Sequence, residues 1–364
     1  MKHAFAYAAL GALMAGAAHA QSGITVYGNL DVAAEMVKAG PVGQTGRVSS
    51  NSSGLGFKGG EDLGAGLKAF FQIEGGVGLD DGSGNLNARD SFLGLMGRFG
   101  AIKMGFFSSP MRAMGGKVNF VPGASSIANN IGVFTTLNGL PTNLNARMPN
   151  ALQYATPDLA GFSAAVIYSP GENKGAGRND VSWGHGLTYV GGPLYLAYAH
   201  EVRRAQQKLA LGDSRDSGHR LGSRYVVGDT SVGLAWDRLG SDGLYGGADG
   251  AIARDAWTAS AMHTMGAHDV MLHYTRAYRI KCAGAANSGQ CAPANVAGTG
   301  AHQISLLYHY TFSKRTLIQA YYSVIRNGAN AVYDYDVNPV VAAPAARKPG
   351  VAPTGLGLGI RHSF

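Results

Sequence analysis

Polar and apolar residues alternate along most of this chain, in segments of about ten residues. In the segment 25–35, Val26, Leu30 and Val32 share one parity, and polar side chains occupy the other. The same alternation recurs in the segments 102–106, 194–203, 303–312 and 356–364. Because successive side chains of a strand point to opposite faces, this period of two predicts β-strands with one apolar and one polar face.

The connections between these segments distinguish two folds that share the alternation. Short turns are predicted at 190–193, 227–229 and 312–315. Long polar or glycine-rich connections are predicted near 37–46, 77–88, 108–150, 170–182, 203–217, 240–254, 281–300 and 328–353. A soluble sandwich does not require short and long connections to alternate, whereas an outer-membrane barrel has short turns at one rim and long loops at the other. The sequence therefore predicts an all-β, sixteen-stranded antiparallel transmembrane β-barrel.

The same alternation assigns the two faces of each strand. In such a barrel the apolar parity faces lipid, the polar parity faces the lumen, and closure removes every strand edge. We therefore expect Leu306 and Ile360 to face the bilayer and Ser305 to face the lumen.

The composition agrees with a glycine-rich β structure. The 364 residues include 55 glycines, charged residues make up only 14%, and hydrophobic residues reach 46%. After the first twenty residues no apolar run approaches the roughly 18 residues of a spanning helix, which excludes a helical membrane protein. Apolar residues recur throughout, and this excludes a disordered chain.

Residues 1–20 have the layout of a secretory signal peptide. Lys2 and His3 form a basic start, an apolar stretch follows, and Ala18-His19-Ala20 resembles a cleavage site. We expect cleavage after Ala20, which leaves residues 21–364 as the barrel domain.

Export to an oxidising compartment allows the two cysteines, Cys282 and Cys291, to form a disulfide in a loop that looks exposed. No histidine or second cysteine pair has the spacing of a metal site, so the sequence predicts no metal.

Five sequence matches, in order along the chain, resemble one family. They are VYGNLD at 26–31, GGEDLGAGLKA at 59–69, FLGL at 92–95 with FG at 99–100, YATP at 154–157 with GF at 161–162, and LGIRHSF at 358–364. With them the chain resembles the trimeric Gram-negative general porins of the beta-proteobacterial type.

This resemblance implies a homotrimer in the Gram-negative outer membrane, in contact with membrane lipid and lipopolysaccharide. It implies no cofactor, passage of ions and small hydrophilic solutes, and a third long loop that folds inward and narrows the channel. Phe364 resembles the terminal signal that the barrel-assembly machinery reads.

The predicted constriction loop runs from Ser108 to about Met148. It contains no Asp or Glu, and its basic residues are Arg112, Lys117 and Arg147. A loop folded into a lumen sets the smallest radius and, with the facing wall, the local electric field.

The resemblance supplies Lys58 and Arg89 as basic residues of the facing wall. Gly54 and Phe106, however, occupy positions where the family commonly has arginine. These departures weaken the positive wall, so only a weak preference for anions is expected.

Further charges share the lumen parity and are not assigned to the constriction. The basic members are Lys68, Lys103, Arg203, Arg279 and Arg361, and the acidic ones are Asp31, Glu35, Glu74, Glu201 and Asp237. The formal net charge is +8. Because the basic residues form no compact stripe, this charge gives no support for nucleic-acid binding.

Other functions find less support in the residues. The segment 200–204 begins like a zinc-protease motif, but Arg204 stands where the second histidine is required. No nucleophile elbow or phosphate loop is present in the sequence, so no enzyme is predicted. A plugged transporter would need a larger barrel. A barrel hydrolase, an adhesin or phage receptor and, as the main alternative, a solute-specific channel could share the fold.

Overall fold

A computed structural model describes residues 23–40, 42–121, 126–172, 180–204, 215–242, 251–283 and 291–364 of the chain. Within these ranges, sixteen antiparallel strands form one closed barrel. They are β1 (Thr25–Ala39), β2 (Val42–Ser50 and Gly54–Gly64), β3 (Leu67–Val77), β4 (Ser91–Gly97), β5 (Gly100–Ser108), β6 (Arg147–Ala155), β7 (Phe162–Ser169), β8 (Ser182–Gly191), β9 (Leu194–Arg204), β10 (Arg215–Val227), β11 (Thr230–Ser241), β12 (Ala251–Met265), β13 (His268–Ala277), β14 (Ala301–Thr311), β15 (Thr316–Asn327) and β16 (Thr354–Ser363).

Pairing between the first and last strands closes the barrel. β1 runs antiparallel to β16, with Val32 opposite Ile360 and Asn29 opposite Ser363. β1 also pairs with both parts of β2, which are separated at residues 51–53. The predicted sixteen-stranded antiparallel barrel is confirmed.

The connections divide between two rims. The short-turn rim carries tight turns such as 191–194 and 227–230, together with the beginning of β1 and the end of β16. The other, the long-loop rim, carries the longer connections.

One predicted long connection, 37–46, is wrong. Ala39 pairs directly with Val42, so a two-residue turn joins β1 and β2. Gly40 has φ of 54°, a backbone conformation that costs glycine little, and this allows the chain to reverse there.

Small elements lie within the connections. The helices are α1 (Pro110–Val118), α2 (Ile131–Phe134) and α3 (Pro293–Val296), with a 3-10 turn at Pro344–Ala346. Short strands occur at Gly84–Asn85, Thr136–Leu137, Leu140–Pro141 and Lys281–Ala283. None of the helices in the described ranges has the length and apolar character needed to cross a membrane.

The predicted faces of the strands are observed. Leu306 and Ile360 point outward and are 51% and 48% exposed, whereas Ser305 points inward. Ser305 is nevertheless buried, because Gln303 beside it donates hydrogen bonds to the carbonyls of Ile127 and Asn129 from an inward-folded connection. The lumen is therefore filled along part of its wall.

The predicted signal peptide lies outside the described residues, so its cleavage after Ala20 remains a prediction. Residues 284–290, inside the predicted disulfide loop, also lie outside them.

Cys282 and Cys291 form the predicted disulfide, with their Cα atoms 5.8 Å apart. Cys282 lies in the short strand at 281–283, where it pairs with Ile252 of β12. Cys291 is buried rather than exposed. The bond therefore attaches the connection after β13 to the barrel wall.

We predict that an arginine is tolerated on the inner face of β3 but not on its outer face. Ile73→Arg places a charge among outward side chains near the middle of the strand and should lower the free energy of unfolding by about 2–4 kcal/mol. Gln72→Arg is the matched control, because its side chain lies beside Glu74 inside the barrel. Urea unfolding in lipid vesicles measures both, and equal losses would contradict the strand register.

We also predict that removal of the disulfide loosens one connection without opening the barrel. The double variant C282A/C291A should lose about 2–3 kcal/mol of unfolding free energy, because the ten-residue ring no longer restricts the unfolded chain. The free energy of unfolding should be measured for the oxidised, the reduced and the double-variant protein. The reduced protein and the double variant should have the same value. Free thiols in protein isolated from membranes would show that the bond does not form.

Candidate functional site

The connection between β5 and β6 folds into the barrel. Its helix α1 begins after Ser109, whose hydroxyl accepts a hydrogen bond from the backbone N–H of Arg112. The same hydroxyl donates to Glu201 Oε2 on β9 at 2.5 Å. Pro110 is well suited to the first helical turn, where an N–H has no partner within the helix. The predicted inward-folded loop is confirmed.

Glycines on the wall allow α1 to lie directly against the strands. Met111, Met114 and Val118 form the buried face of the helix. A Cβ added at Gly222 of β10 would lie 3.0 Å from Met114 Sδ, and one at Gly233 of β11 would lie 2.4 Å from the carbonyl oxygen of Val118. Side chains at these two positions would push the helix into the lumen.

Polar contacts attach the rest of this connection to more distant strands. Asn130 Nδ2 donates to Thr258 Oγ1 of β12 at 2.8 Å. Arg254 Nη2 donates to the carbonyl of Phe134, the last residue of α2, at 2.9 Å. The connection thus runs along the inner wall from β9 to β14.

The last connection, 328–353, also enters the barrel, which the sequence analysis did not predict. The N–H of Asn138 donates to Tyr333 Oη at 3.1 Å, and Arg347 Nη1 donates to the carbonyl of Gly139 at 3.0 Å. Arg47 of β2 donates to the carbonyls of Asn338 and Pro339 at 2.7 and 2.9 Å. Two connections therefore form the constriction together.

Arg89 and Arg147, which were predicted to line the constriction, each lie against a carboxylate. Arg147 Nε is 2.5 Å from Asp90 Oδ1, and Arg89 Nε is 2.5 Å from Glu74 Oε1. Arg89 and Glu74 form an ion pair but not a hydrogen bond through Nε, because the Nε–H does not point at an acceptor. Pairing cancels much of the field that either arginine would otherwise project into the lumen.

Arg112 joins the same group of charges. Its Nη1 donates to the carbonyl of Asn145 at 2.9 Å. Burial and Arg147 lower the pKa of Arg112, whereas Asp90 and Asp336 raise it. Because guanidinium stays protonated in proteins, Arg112 is a permanent positive charge that faces Asp336 of the last connection.

Lys58, predicted at the constriction, lies away from this group together with Lys68, which was predicted only to face the lumen. Gly54 of β2 lies beside Arg89, and Lys58 is four residues further along the same strand. Lys58 is therefore about 13 Å from Gly54 along the strand. Lys58 and Lys68 line a separate cavity of about 440 Å³ near the short-turn rim. Lys117 is exposed at the last turn of α1. The expected single basic cluster is therefore divided.

The acidic residues expected along the lumen of β1 are buried in closed networks. Asp31 accepts hydrogen bonds from Gln319 Nε2 at 2.7 Å and Arg361 Nη1 at 3.3 Å. Glu35 accepts from three side chains, Arg47, Ser49 and Tyr321, each at 2.8 Å. These carboxylates lie on the predicted inner face, but they hold the wall together and do not face open solvent.

Glu74 and Lys103 also have partners on the wall. Besides Arg89, Glu74 accepts hydrogen bonds from Tyr27 Oη at 2.9 Å and Gln72 Nε2 at 3.3 Å. Lys103 Nζ lies over the rings of Phe92 and Phe107, at 4.5 and 4.1 Å from their centroids. The aromatic faces stabilise its positive charge inside the barrel.

Sequence reasoning missed two of the constriction carboxylates, Asp90 and Asp336. Asp90 directly follows the identified Arg89 but precedes β4, where parity gives no information. Asp336 lies in a connection assigned to the exterior. In the described part of the chain, no group of three or more His, Cys, Asp or Glu side chains is arranged to hold a metal ion.

Known proteins share both the sequence pattern and the fold. The sequence profile described as Gram-negative porin matches residues 6–330. Outer membrane porin protein 32 of Delftia acidovorans is 30% identical over 96% of this chain and 96% of its own length. Major outer membrane protein P.IB of Neisseria gonorrhoeae is 31% identical over 57% of this chain but only 60% of that protein. A solved structure, the anion-selective porin from Comamonas acidovorans, is 25% identical, covers 94% of this chain and 100% of its own, and has a TM-score of 0.77.

We predict that Gly222 is required for the position of α1. Gly222→Val should destabilise the protein by about 1–3 kcal/mol, because the added methyl groups overlap Met114 and Val118. Limited proteolysis should then cut the connection 109–146 faster than in the parent protein. Gly240→Val is the control, since a Cβ there meets its nearest atom only at 3.5 Å. Unchanged proteolysis in Gly222→Val would show that the helix is not held by this contact.

Proposed function

This chain belongs to the Gram-negative porin family, and we propose that it forms a water-filled channel for passive diffusion of ions and small hydrophilic solutes across the outer membrane. The observation that carries the proposal is the closed barrel of sixteen antiparallel strands. Sixteen strands enclose a space too wide for wall side chains to fill, so an aqueous path remains beside the inward connections.

Family membership also supports the expected homotrimer and the expected contact with outer-membrane lipid and lipopolysaccharide. The proposed role of Phe364 in assembly agrees with its position, because its backbone exchanges two hydrogen bonds with Gly28 at 3.1 Å each. The last residue thus pairs with the strand that closes the barrel.

We propose a weak preference for anions. Arg89 and Arg147 form ion pairs with Glu74 and Asp90, and the charge of Asp336 opposes that of Arg112, so the fields of the three arginines largely cancel. Lys58 and Lys68, near the short-turn rim, have no carboxylate partner among the described residues. The related Comamonas porin is described as anion-selective. A modest excess of positive charge along the path should favour the passage of anions through this protein too.

Reconstitution in planar bilayers tests the channel. Purified protein should produce large, steady conductance steps, and liposomes that contain it should swell in any small neutral or charged solute. Swelling with a single sugar, amino acid or acid would instead support a solute-specific channel. Absence of conductance from folded barrels would overturn the proposal.

We predict that Asp90 limits the anion preference. Asp90→Asn removes the partner of Arg147 and adds one net positive charge to the constriction, so the reversal potential in a KCl gradient should shift toward that of chloride. The shift should be larger at 0.1 M than at 1 M salt, because the Debye length falls from about 10 to about 3 Å.

The control for this prediction is Asp229→Asn, in an exposed turn at the short-turn rim. It should leave the reversal potential unchanged. A shift toward cations in Asp90→Asn would contradict the assignment.

We predict that acidification increases the anion preference through Asp336. Asp336 keeps contact with solvent, but desolvation by the packed segments around it raises the pKa of its carboxyl above the ordinary value, although Arg112 and Arg347 oppose this effect. The carboxylate therefore loses its charge as pH falls through the raised pKa, at a pH where aspartates with an ordinary pKa remain ionised. The constriction then becomes more positive.

Reversal potentials measured from pH 7 to pH 4 test this prediction. At pH 7, Asp336→Asn should already have the stronger anion preference that the parent protein shows at acidic pH. Its reversal potential should then change less between pH 7 and pH 4. Identical profiles for the two proteins would assign the pH dependence to other groups.

A further inference from the structure

A cavity of about 480 Å³ opens on the outer face of the barrel at the long-loop rim. Four basic side chains line it, Arg276, Arg279, His302 and Arg326. Tyr278, Asn327 and the glycines 298, 300 and 328 form the rest of its wall. We call this cavity the arginine pocket. It lies on the opposite side of the wall from the lumen and takes no part in the constriction.

Strand register builds the pocket. His302 of β14 lies directly opposite Arg276 of β13 on one side and Arg326 of β15 on the other. All three share the outward parity of the exposed Ile304. Arg276 Nη1 lies 3.3 Å from His302 Nδ1.

Arg279 completes the pocket from the turn after β13. Parity predicted that Arg279 faces the lumen, and this prediction is wrong because β13 ends at Ala277 and the chain changes direction. Its side chain therefore joins the outward group.

The pocket concentrates positive charge without a carboxylate. Among the described residues, no Asp or Glu forms an ion pair with Arg276, Arg279 or Arg326, and the sequence of the adjoining connection, 278–300, contains none. By contrast, the outward Arg238 at the same rim has a partner in Asp255, at 3.3 Å. Three guanidinium groups around one cavity repel one another, and an anion held between them removes that repulsion.

The surface below the pocket is apolar and aromatic. Tyr274 stacks on His302 with ring centroids 6.1 Å apart, and Trp257 lies 5.1 Å from Tyr274. Ile304 is 40% exposed on the same outward face. Aromatic residues of this kind mark the level where lipid headgroups meet the hydrocarbon layer.

We propose that the arginine pocket binds the phosphate group of an anionic lipid in the leaflet that surrounds the long-loop rim. A guanidinium group forms two parallel, charge-assisted hydrogen bonds with the oxygens of a phosphate. The pocket therefore suits a phosphate better than an anion that accepts only one hydrogen bond. The acyl chains lie along Ile304 and Tyr274. A free phosphate would gain nothing from this apolar surface, so the lipid is the occupant.

Native mass spectrometry of the purified protein in neutral detergent tests the proposal. The probe is lipid A with both phosphates, compared with the same lipid after removal of its phosphates. The double variant R276Q/R326Q should bind phosphorylated lipid A at least tenfold more weakly than the parent protein. Arg279→Gln, which lies outside the strands, should weaken binding several-fold and provides a second reading if the double variant folds poorly.

Arg238→Gln is the matched control and should bind within twofold of the parent protein. Single-channel conductance should stay the same in all these variants, which separates the pocket from the channel. Equal binding by the parent protein and R276Q/R326Q would overturn the proposal. Equal binding of phosphorylated and dephosphorylated lipid, or full competition by millimolar inorganic phosphate, would overturn the lipid phosphate as its ligand.

Discussion

Backbone hydrogen bonding between β1 and β16 is the interaction on which the other features depend. An open sheet would leave two rows of N–H and C=O groups without partners in hydrocarbon, at a cost of several kcal/mol for each group. Closure pairs the ten positions from Asn29 to Lys38 with β16. Once the sheet is closed, each strand has an inside and an outside, and every side chain is assigned to lipid or lumen by its parity alone.

Closure also creates the need for the inward connections and for the polar networks that hold them. Where a connection covers the wall, the charges beneath it are buried and must be paired, as with Arg220 and Asp237 at 2.9 Å. A buried charge that loses its partner is far more costly than an exposed one. Glycines such as Gly218 and Gly222 complement these pairs, because they let the helix approach the wall closely. The open part of the lumen is therefore the part without such cover.

The sequence was sufficient to predict the strands, their faces and the first inward connection, because each depends on local periodicity or local composition. It was insufficient for contacts between distant segments. The separation of Lys58 from Arg89 depends on the stagger of the strands, which parity does not reveal. The contact of Asn138 with Tyr333 joins residues almost two hundred positions apart. The pairing of Arg147 with Asp90 was hidden for a related reason, since Asp90 precedes β4 and Arg147 begins β6, and their contact depends on how β4, β5 and β6 pair side by side.

The last connection has two parts with different surroundings. Its first part is held inside the barrel, where Tyr333 and Tyr335 are buried, whereas residues 342–346 and 348–350 are exposed beyond the rim. One segment thus contributes to the pore and also forms cell-surface structure. The sequence of the exposed tip can change while Asn138 and Arg47 hold the inner part in place. A large ligand that binds the tip can therefore displace the inner part of the same segment and change the width of the channel.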